Sequence, residues 1–396
     1  MIHPVGLMLY ALVVWLATQA VSAAIVWLFT VDLGRPVSAQ AQPRVAVIVA
    51  VKGHDIEFDG FLASVFVQDY SDYRVIFAVE SDSDPAVAAI EVCRARWPDK
   101  VSLVTAGLAR AEGQKTANLR AALDHVTAED DILVFADADI WPNPDWLRRL
   151  VAPLVRGETD VVSGFAWLLV KDSRPSTFVL ASMAAGIATI PRMPFLNAAW
   201  GGTTAMWRDQ FESLGIADNW RGALSDDLQL TNVVQRAGCR IAAPREILLR
   251  TPVETHGFST VAAEARRWYM LVRVHMPVTY AITVAASTLV SAGWIAALVG
   301  ALCGRTDAAI VLMSAFALAI LCTFGRAILI ARLWGRAGLK ENRAFLLADP
   351  LMAPVAAIMN AVFGWSALGM RRTTWAGITY EITGPQEVRI LARGES

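Results

Sequence analysis

Apolar residues are distributed along this chain in two different ways. Four stretches are apolar almost without interruption, and between the first and second lies a long region where short apolar runs alternate with charged segments. Residues 5–31 hold no charged side chain over 27 positions, and about 20 apolar residues suffice for a helix to cross a bilayer. A transmembrane helix is predicted. A cleaved secretory signal is the competing reading, helped by the small residues Ala39 and Ala41, but the run is longer than a signal's apolar core and no Lys or Arg precedes it. Residues 278–302 and 308–331 predict a helical hairpin turning at Gly304, Arg305 and Asp307. Arg326 interrupts the second arm and is expected to face a protein partner or a polar cavity, because a charge in hydrocarbon is costly.

The last stretch, 346–370, is broken by Asp349, Pro350, Pro354, Asn360 and Gly364. Arg332, Arg336, Lys340 and Arg343 precede it and Arg371 and Arg372 follow it. Positive charge favours the cytoplasmic face, so both ends prefer one side. That predicts a re-entrant or interfacial segment, with a full crossing as the alternative. The N-terminus, nearly free of Lys and Arg, is then outside and residues 33–276 inside. Three parts are expected: an N-terminal transmembrane helix over 1–33, a cytoplasmic domain over 34–276, and a C-terminal membrane hairpin, re-entrant or interfacial segment and short tail over 277–396.

Within the middle region, strand-like runs at 44–51, 73–79, 101–105, 131–136 and 160–167 alternate with helical patterns near 57–68, 84–97, 114–127 and 143–155. That alternation indicates an α/β domain with a mainly parallel sheet covered on both faces. Ligands of such sheets bind beyond the carboxyl ends of the strands. The residues there are Lys52, Gly53, His54 and Asp55 after the first run, Glu80 to Asp84 after the second, and Asp137, Ala138 and Asp139 after the fourth. No GxGxxG follows the first strand and no GxxxxGK[ST] occurs, which removes the main support for a dehydrogenase or a P-loop NTPase.

Composition agrees with lipid contact: 55% of the 396 residues are hydrophobic and 18% charged, against about 25% charged in an ordinary soluble domain. Thirty-five Lys and Arg against 36 Asp and Glu leave a net charge of -1, so no basic field exists to hold a nucleic acid. Cys93, Cys239, Cys303 and Cys322 are scattered without a CxxC pair, which indicates neither a zinc site nor a disulfide framework.

Several groups could carry chemistry. Asp137 and Asp139, spaced i, i+2 at a strand end, can present oxygens to Mg or Mn, or simply cap a turn. Such a cation neutralises a leaving diphosphate. Ser225-Asp226-Asp227 stands before an amphipathic run and reads as a helix cap or as a general base. Glu264-Ala265-Arg266-Arg267-Trp268 precedes membrane entry, where Arg suits a diphosphate and Trp a sugar face, or both anchor the interface. Lys115 and Asn118 could reach a phosphate or open a helix. Histidines 54, 125, 256 and 275 lack any paired metal spacing. The stretch 177–207, broken by Pro191 and Pro194, fits core or an interfacial helix that admits a lipid.

In order, these pieces resemble the membrane-bound family 2 and 21 glycosyltransferases, most closely the ceramide glucosyltransferase branch. VESDSDPA (79–86) resembles that branch's first acidic motif, KTANL (115–119) its Lys-x-x-Asn-Leu, FADADI (135–140) its second aspartate motif, and SDD (225–227) its third. RRW (266–268) is similar to the end of QxxRW, and WAGITY (375–380) to the WxGxxY after the last apolar segment. The resemblance spans about residues 5–380. It implies a GT-A type mixed sheet and an inverting transfer of a sugar, glucose from UDP-glucose, to a lipid hydroxyl. Asp227 is then the base, and Asp137 and Asp139 hold Mg or Mn. Lys52, Glu80, Asp82, Lys115, Asp137, Arg267 and Trp268 are the expected nucleotide-sugar-binding residues. Two departures stand out: the first family aspartate falls on Ser81, and Glu264 stands where the family has Gln or Arg. A polyprenyl-phosphate or polysaccharide glycosyltransferase is the alternative within the class. A catalytically inactive membrane scaffold that binds nucleotide sugars is the alternative outside it.

Overall fold

A computed structural model describes residues 4–31, 42–190 and 197–394. Ala39 and Ala41, and Pro191 and Pro194 of the 177–207 stretch, lie outside the described residues. The chain opens with helix α1 (Pro4–Val31), followed by β1 (Val45–Ala50), α2 (Ile56–Val65), β2 (Tyr73–Val79), α3 (Ala86–Arg96), β3 (Val101–Thr105), α4 (Gln114–Leu123) and β4 (Ile132–Asp137). Then come α5 (Trp146–Val155), β5 (Val161–Ser163), β6 (Phe165–Val170), α6 (Pro175–Ala188), β7 (Thr203–Trp207), α7 (Arg208–Ser213), α8 (Ile216–Asn219) and α9 (Asp226–Arg236). β8 (Ile241–Ala242), β9 (Leu248–Val253) and α10 (Phe258–His275) complete the globular part.

Seven strands form one sheet in the order β3-β2-β1-β4-β7-β5-β8. β1 pairs in parallel with β2 and β4, and β2 with β3, while β7 runs antiparallel to both β4 and β5. This is the mainly parallel mixed sheet expected from the alternating pattern. Its central strands are continuous apolar runs because both faces are covered. Val45, Val47 and Val49 pack with Phe58, Phe61 and Leu150 on one side, and Ala46 and Ile48 pack with Leu119, Ala122 and Leu230 on the other.

The single run expected at 160–167 is two strands in two sheets. The break falls at Gly164, where a Cβ would lie 2.4 Å from the Ile247 carbonyl oxygen. Only glycine permits that backbone approach, and past it β6 leaves the main sheet to pair in parallel with β9.

Among the described residues, four helices are long and apolar enough to cross a membrane: α1, α11 (Pro277–Leu302), α12 (Thr306–Glu341) and α13 (Arg343–Ser366). The α11–α12 turn holds Gly304 at φ +79° and an Arg305–Asp307 ion pair of 2.6 Å. α12 runs ten residues beyond the 331 read from hydropathy, bending at Gly335, whose φ of +65° suits glycine. The segment broken by two prolines is one helix, α13, with Pro350 and Pro354 inside it. Both of its flanks rest on the globular part. Before it, Glu341 pairs with Lys171 at 3.2 Å and Asn342 accepts from the Trp167 indole at 2.9 Å; after it, Arg273 donates to the Met370 carbonyl. A three-stranded antiparallel sheet, β10 (Arg372–Trp375), β11 (Ile378–Gly384) and β12 (Glu387–Arg393), closes the chain and packs against α9 and α10 through Tyr380, Ile382, Leu228 and Met270.

Candidate active site

The sheet's parallel half delivers β1, β2 and β4 to one rim, and three groups of side chains gather there or beside it. The first is centred on Lys115, in the opening turn of α4. Its ammonium lies 2.7 Å from Asp137 at the end of β4 and 3.1 Å from Asp226 at the start of α9. Burial alone would discharge this lysine, but Asp137, Asp226 and Asp227 outweigh it and raise its pKa. Asp227 is held by donors: the Gly201 N–H at 2.9 Å on one oxygen, and the Leu228 N–H at 2.7 Å with the Ser225 hydroxyl on the other. Ser225 caps α9, so the cap reading and the site reading of this triplet hold together.

Four carboxylates, Asp137, Asp139, Asp226 and Asp227, thus face a single lysine. The imbalance is visible in their protonation. Burial pushes Asp226 up to about 6, with Asp227 adding to the shift and Lys115 opposing it. Asp139 stands on the outer side of the rim, where desolvation of its carboxyl and then the charge of Asp137 push it up to about 7. Among the described residues no three His, Cys, Asp or Glu side chains form a closed cage. The donor set is two carboxylates spaced i, i+2, one of them shared with Lys115. That suits Mg or Mn, which bind through one or two carboxylates and take their remaining ligands from substrate phosphates and water.

The second group contains Lys52 and Glu80, which form an ion pair across the ends of β1 and β2. Asp82 sits apart and accepts from the Thr105 hydroxyl. Asp84 is a loop clasp rather than a tip, since it accepts from the N–H of Gly53 at 3.0 Å and of Ala86 at 2.9 Å. Asn118 is also structural: it is buried, donating to the Ala78 carbonyl at 3.2 Å and accepting from Gln114 at 2.8 Å.

The third group lies on α10. Glu264 accepts from Arg267 at 2.5 Å and from the Trp268 indole at 2.8 Å, so this acid holds both expected donor-wall residues through i, i+3 and i, i+4 spacing. Arg267 and Trp268 make no hydrogen bond or ion pair to the Lys115 cluster among the described residues. The two groups are joined by packing of Leu228 with Met270 and Leu271. At the end of α10, His275 is buried, and desolvation pushes it down to about 4, with Asp227 opposing.

One participant escaped the reading of the chain. The C-terminal sheet touches all three groups. The Tyr380 hydroxyl accepts from the Gln114 N–H at 3.2 Å, next to Lys115, and the Trp375 ring lies 4.8 Å from the Arg267 guanidinium. Arg393 reaches Glu80 at 3.4 Å, the Ala109 carbonyl at 2.7 Å and Gln114 at 3.0 Å. The WAGITY run marked Trp375 and Tyr380, whereas nothing local marked Arg393.

Among solved structures the chain is similar to the mannosyltransferase PcManGT from Pyrobaculum calidifontis in complex with GDP-Man and Mn2+, with 19% identity and a TM-score of 0.48, over 90% of this chain and 99% of that one. It is similar to the ceramide glucosyltransferase of Komagataella phaffii, with 29% identity over 126 residues. That match takes in 31% of this chain and 24% of the relative, so the chain spans about a quarter of the curated relative's length. The sequence model of glycosyl transferase family 21 matches residues 6–388, nearly the whole chain, and the chain therefore belongs to glycosyl transferase family 21.

Proposed function

We propose that this membrane glycosyltransferase moves glucose from UDP-glucose to the hydroxyl of a lipid, with inversion at the sugar carbon and with Mg or Mn bound. The observation that carries the reading is the rim cluster, in which Lys115 draws Asp137, Asp226 and Asp227 together beside helices able to cross a membrane. Asp227 is the base. Its carboxylate is oriented by two backbone N–H groups and a hydroxyl, and takes the proton of the lipid hydroxyl as that oxygen attacks the anomeric carbon. The bond from that carbon to the diphosphate oxygen breaks as the new one forms, and UDP leaves with the electron pair. Asp137 and Asp139 would hold the divalent cation, which supplies positive charge to the departing diphosphate. Lys115 fixes Asp137 and Asp226 in place. Lys52 and Glu80, closed over by Arg393, form the nucleoside end of the site, with Asp82 at its edge, and Arg267 and Trp268 form its far wall.

The catalytic domain lies on the cytoplasmic side in this reading, with α13 as an interfacial segment rather than a crossing. Its two flanks are both tied to the globular part, through Asn342 and Met370, and both carry arginines. The test uses full-length protein in lipid, supplied with UDP-glucose, Mg or Mn, and a total lipid extract. Metal-dependent UDP release with a glucosylated lipid, abolished in Asp227→Asn, supports the reading. Equal release by that variant overturns the assignment of the base.

A further inference from the structure

Away from the rim, a cavity of about 310 Å³ lies between α1, α6, α11, α12 and α13. Val26, Trp294, Leu318 and Ala353 give it apolar walls, and Arg326 and Asp349 form a polar side. Its volume falls at the small end of ligand sites, enough for the polar linkage of a lipid and the first part of one chain. Ionisable groups within membrane helices mark functional sites by default, because their desolvation is expensive.

The hydrogen bonds around this pair are unequal. Asp349 is 1% exposed and fully engaged, accepting from Ser182 at 2.9 Å, from Thr323 at 2.7 Å and from Arg326. Arg326 has five N–H donors. One serves Asp349, and the buried Nε finds no partner among the described residues. A plain tie between α12 and α13 accounts for the Asp349 contacts but not for surplus donors beside a cavity. Those donors call for acceptor oxygens. The Arg326–Asp349 pair is neutral as a unit, so an uncharged acceptor completes it, whereas a phosphate would bring a charge with no counter-charge.

We propose that this cavity is a binding site for an uncharged acyl lipid, whose amide or ester carbonyl accepts from Arg326 while its chain lies along the apolar walls. The site is separate from the rim and does not depend on the sugar-transfer reading. Gly186 offers a clean way to close it: the residue lines the cavity, and a Cβ added there meets no atom within 4 Å.

The experiment uses full-length protein in lipid nanodiscs and two photoactivatable probes carrying a diazirine in the acyl chain, diacylglycerol and phosphatidic acid, with the labelled peptides mapped by mass spectrometry. Diacylglycerol is expected to label α1 near Val26 and α12 near Leu318, with loss of that labelling in Gly186→Leu at unchanged melting temperature. The double variant Arg326→Gln, Asp349→Asn, which keeps the pair neutral, is expected to lose it too. Labelling spread evenly over the outer faces of α11 and α12 and indifferent to Gly186→Leu overturns the site. Stronger labelling by phosphatidic acid overturns the choice of an uncharged lipid. Labelling requires no turnover, so specific labelling of a protein that transfers no sugar upholds this site while refuting the proposed reaction.

Discussion

Two charged clusters in this molecule are built on opposite principles. At the rim, Lys115 faces four aspartates, which leaves three negative charges when all are ionised; between α12 and α13, Arg326 faces Asp349 alone. The imbalanced group opens to water, where protons or a cation can relieve it, and two of its carboxyls already sit well above the ordinary range. The balanced group is enclosed by helices, and its carboxylate is satisfied by Ser182 and Thr323. An excess of charge prepares a site for chemistry that moves protons and anions, whereas neutrality is what allows a polar group to persist among apolar helices.

Asp227→Asn separates the two most sharply. The amide keeps the volume and can still accept from Gly201 or Leu228, so the fold is retained, but it cannot take a proton. A fall in kcat of about 100- to 10,000-fold is expected, the span of general-base contributions, read by UDP release against an unchanged melting temperature. Between the helices the response should appear in stability. Arg326→Ala leaves Asp349 charged and buried, and loss of one partner of such a pair costs about 3–5 kcal/mol. The double replacement Arg326→Met, Asp349→Leu is expected to restore most of it, measured as a melting temperature in detergent. Equal destabilisation by both would show that the surrounding packing, not the charge, holds α12 to α13.

What could be read in advance follows a physical boundary. The central strands were legible because continuous apolar runs such as VAVIVA and the ILVFA before Asp137 are what a sheet covered on both faces requires. The passage of the chain from β5 to β6 was not, because Gly164 matters only through its approach to Ile247, more than 80 residues away. In the site, Lys115, Asp137 and Asp227 stand in motifs, and the fold brings them together. Asp226 looked like a cap, and its bond to Lys115 depends on how α9 meets α4. The Arg393–Glu80 pair spans 313 positions with no periodicity to announce it. Glu264 stood out as a departure, and its reach to Arg267 and Trp268 follows from helical spacing alone.

Titration gives a finer contrast. The folded-state pKa of Asp139 is raised, so the folded protein holds a proton that the unfolded chain releases near pH 4. Stability tied to this group is therefore present at low pH and lost as pH rises from about 4 toward about 7. Asp139→Asn removes the liability, and its melting temperature should move above that of the parent progressively over that window. Manganese should close the gap at pH 8 by stabilising the parent alone. A pH-independent gap would mean that Asp139 is not in the strained cluster. Arg326→Met, Asp349→Leu should show no such trend with pH or metal.

The smallest effect is expected where the C-terminal sheet meets the rim, and it tests whether that sheet is part of the site or a cover for it. Arg393 binds Glu80, the Ala109 carbonyl and Gln114, while Glu80 keeps a second cation in Lys52. Arg393→Ala therefore leaves Glu80 paired and the fold intact, but removes one wall of the proposed nucleoside end. If the wall helps to seat the donor, the donor KM rises by about tenfold, the equivalent of one charge-assisted hydrogen bond of roughly 1.5 kcal/mol, with kcat little changed. Arg393→Lys keeps the charge but not the forked geometry, and it should recover only part of the loss. A fall in kcat at constant KM would instead place the sheet's influence on α4 and Lys115, through Gln114 and Tyr380, and would make the rim's charge balance depend on strands more than 260 residues away along the chain.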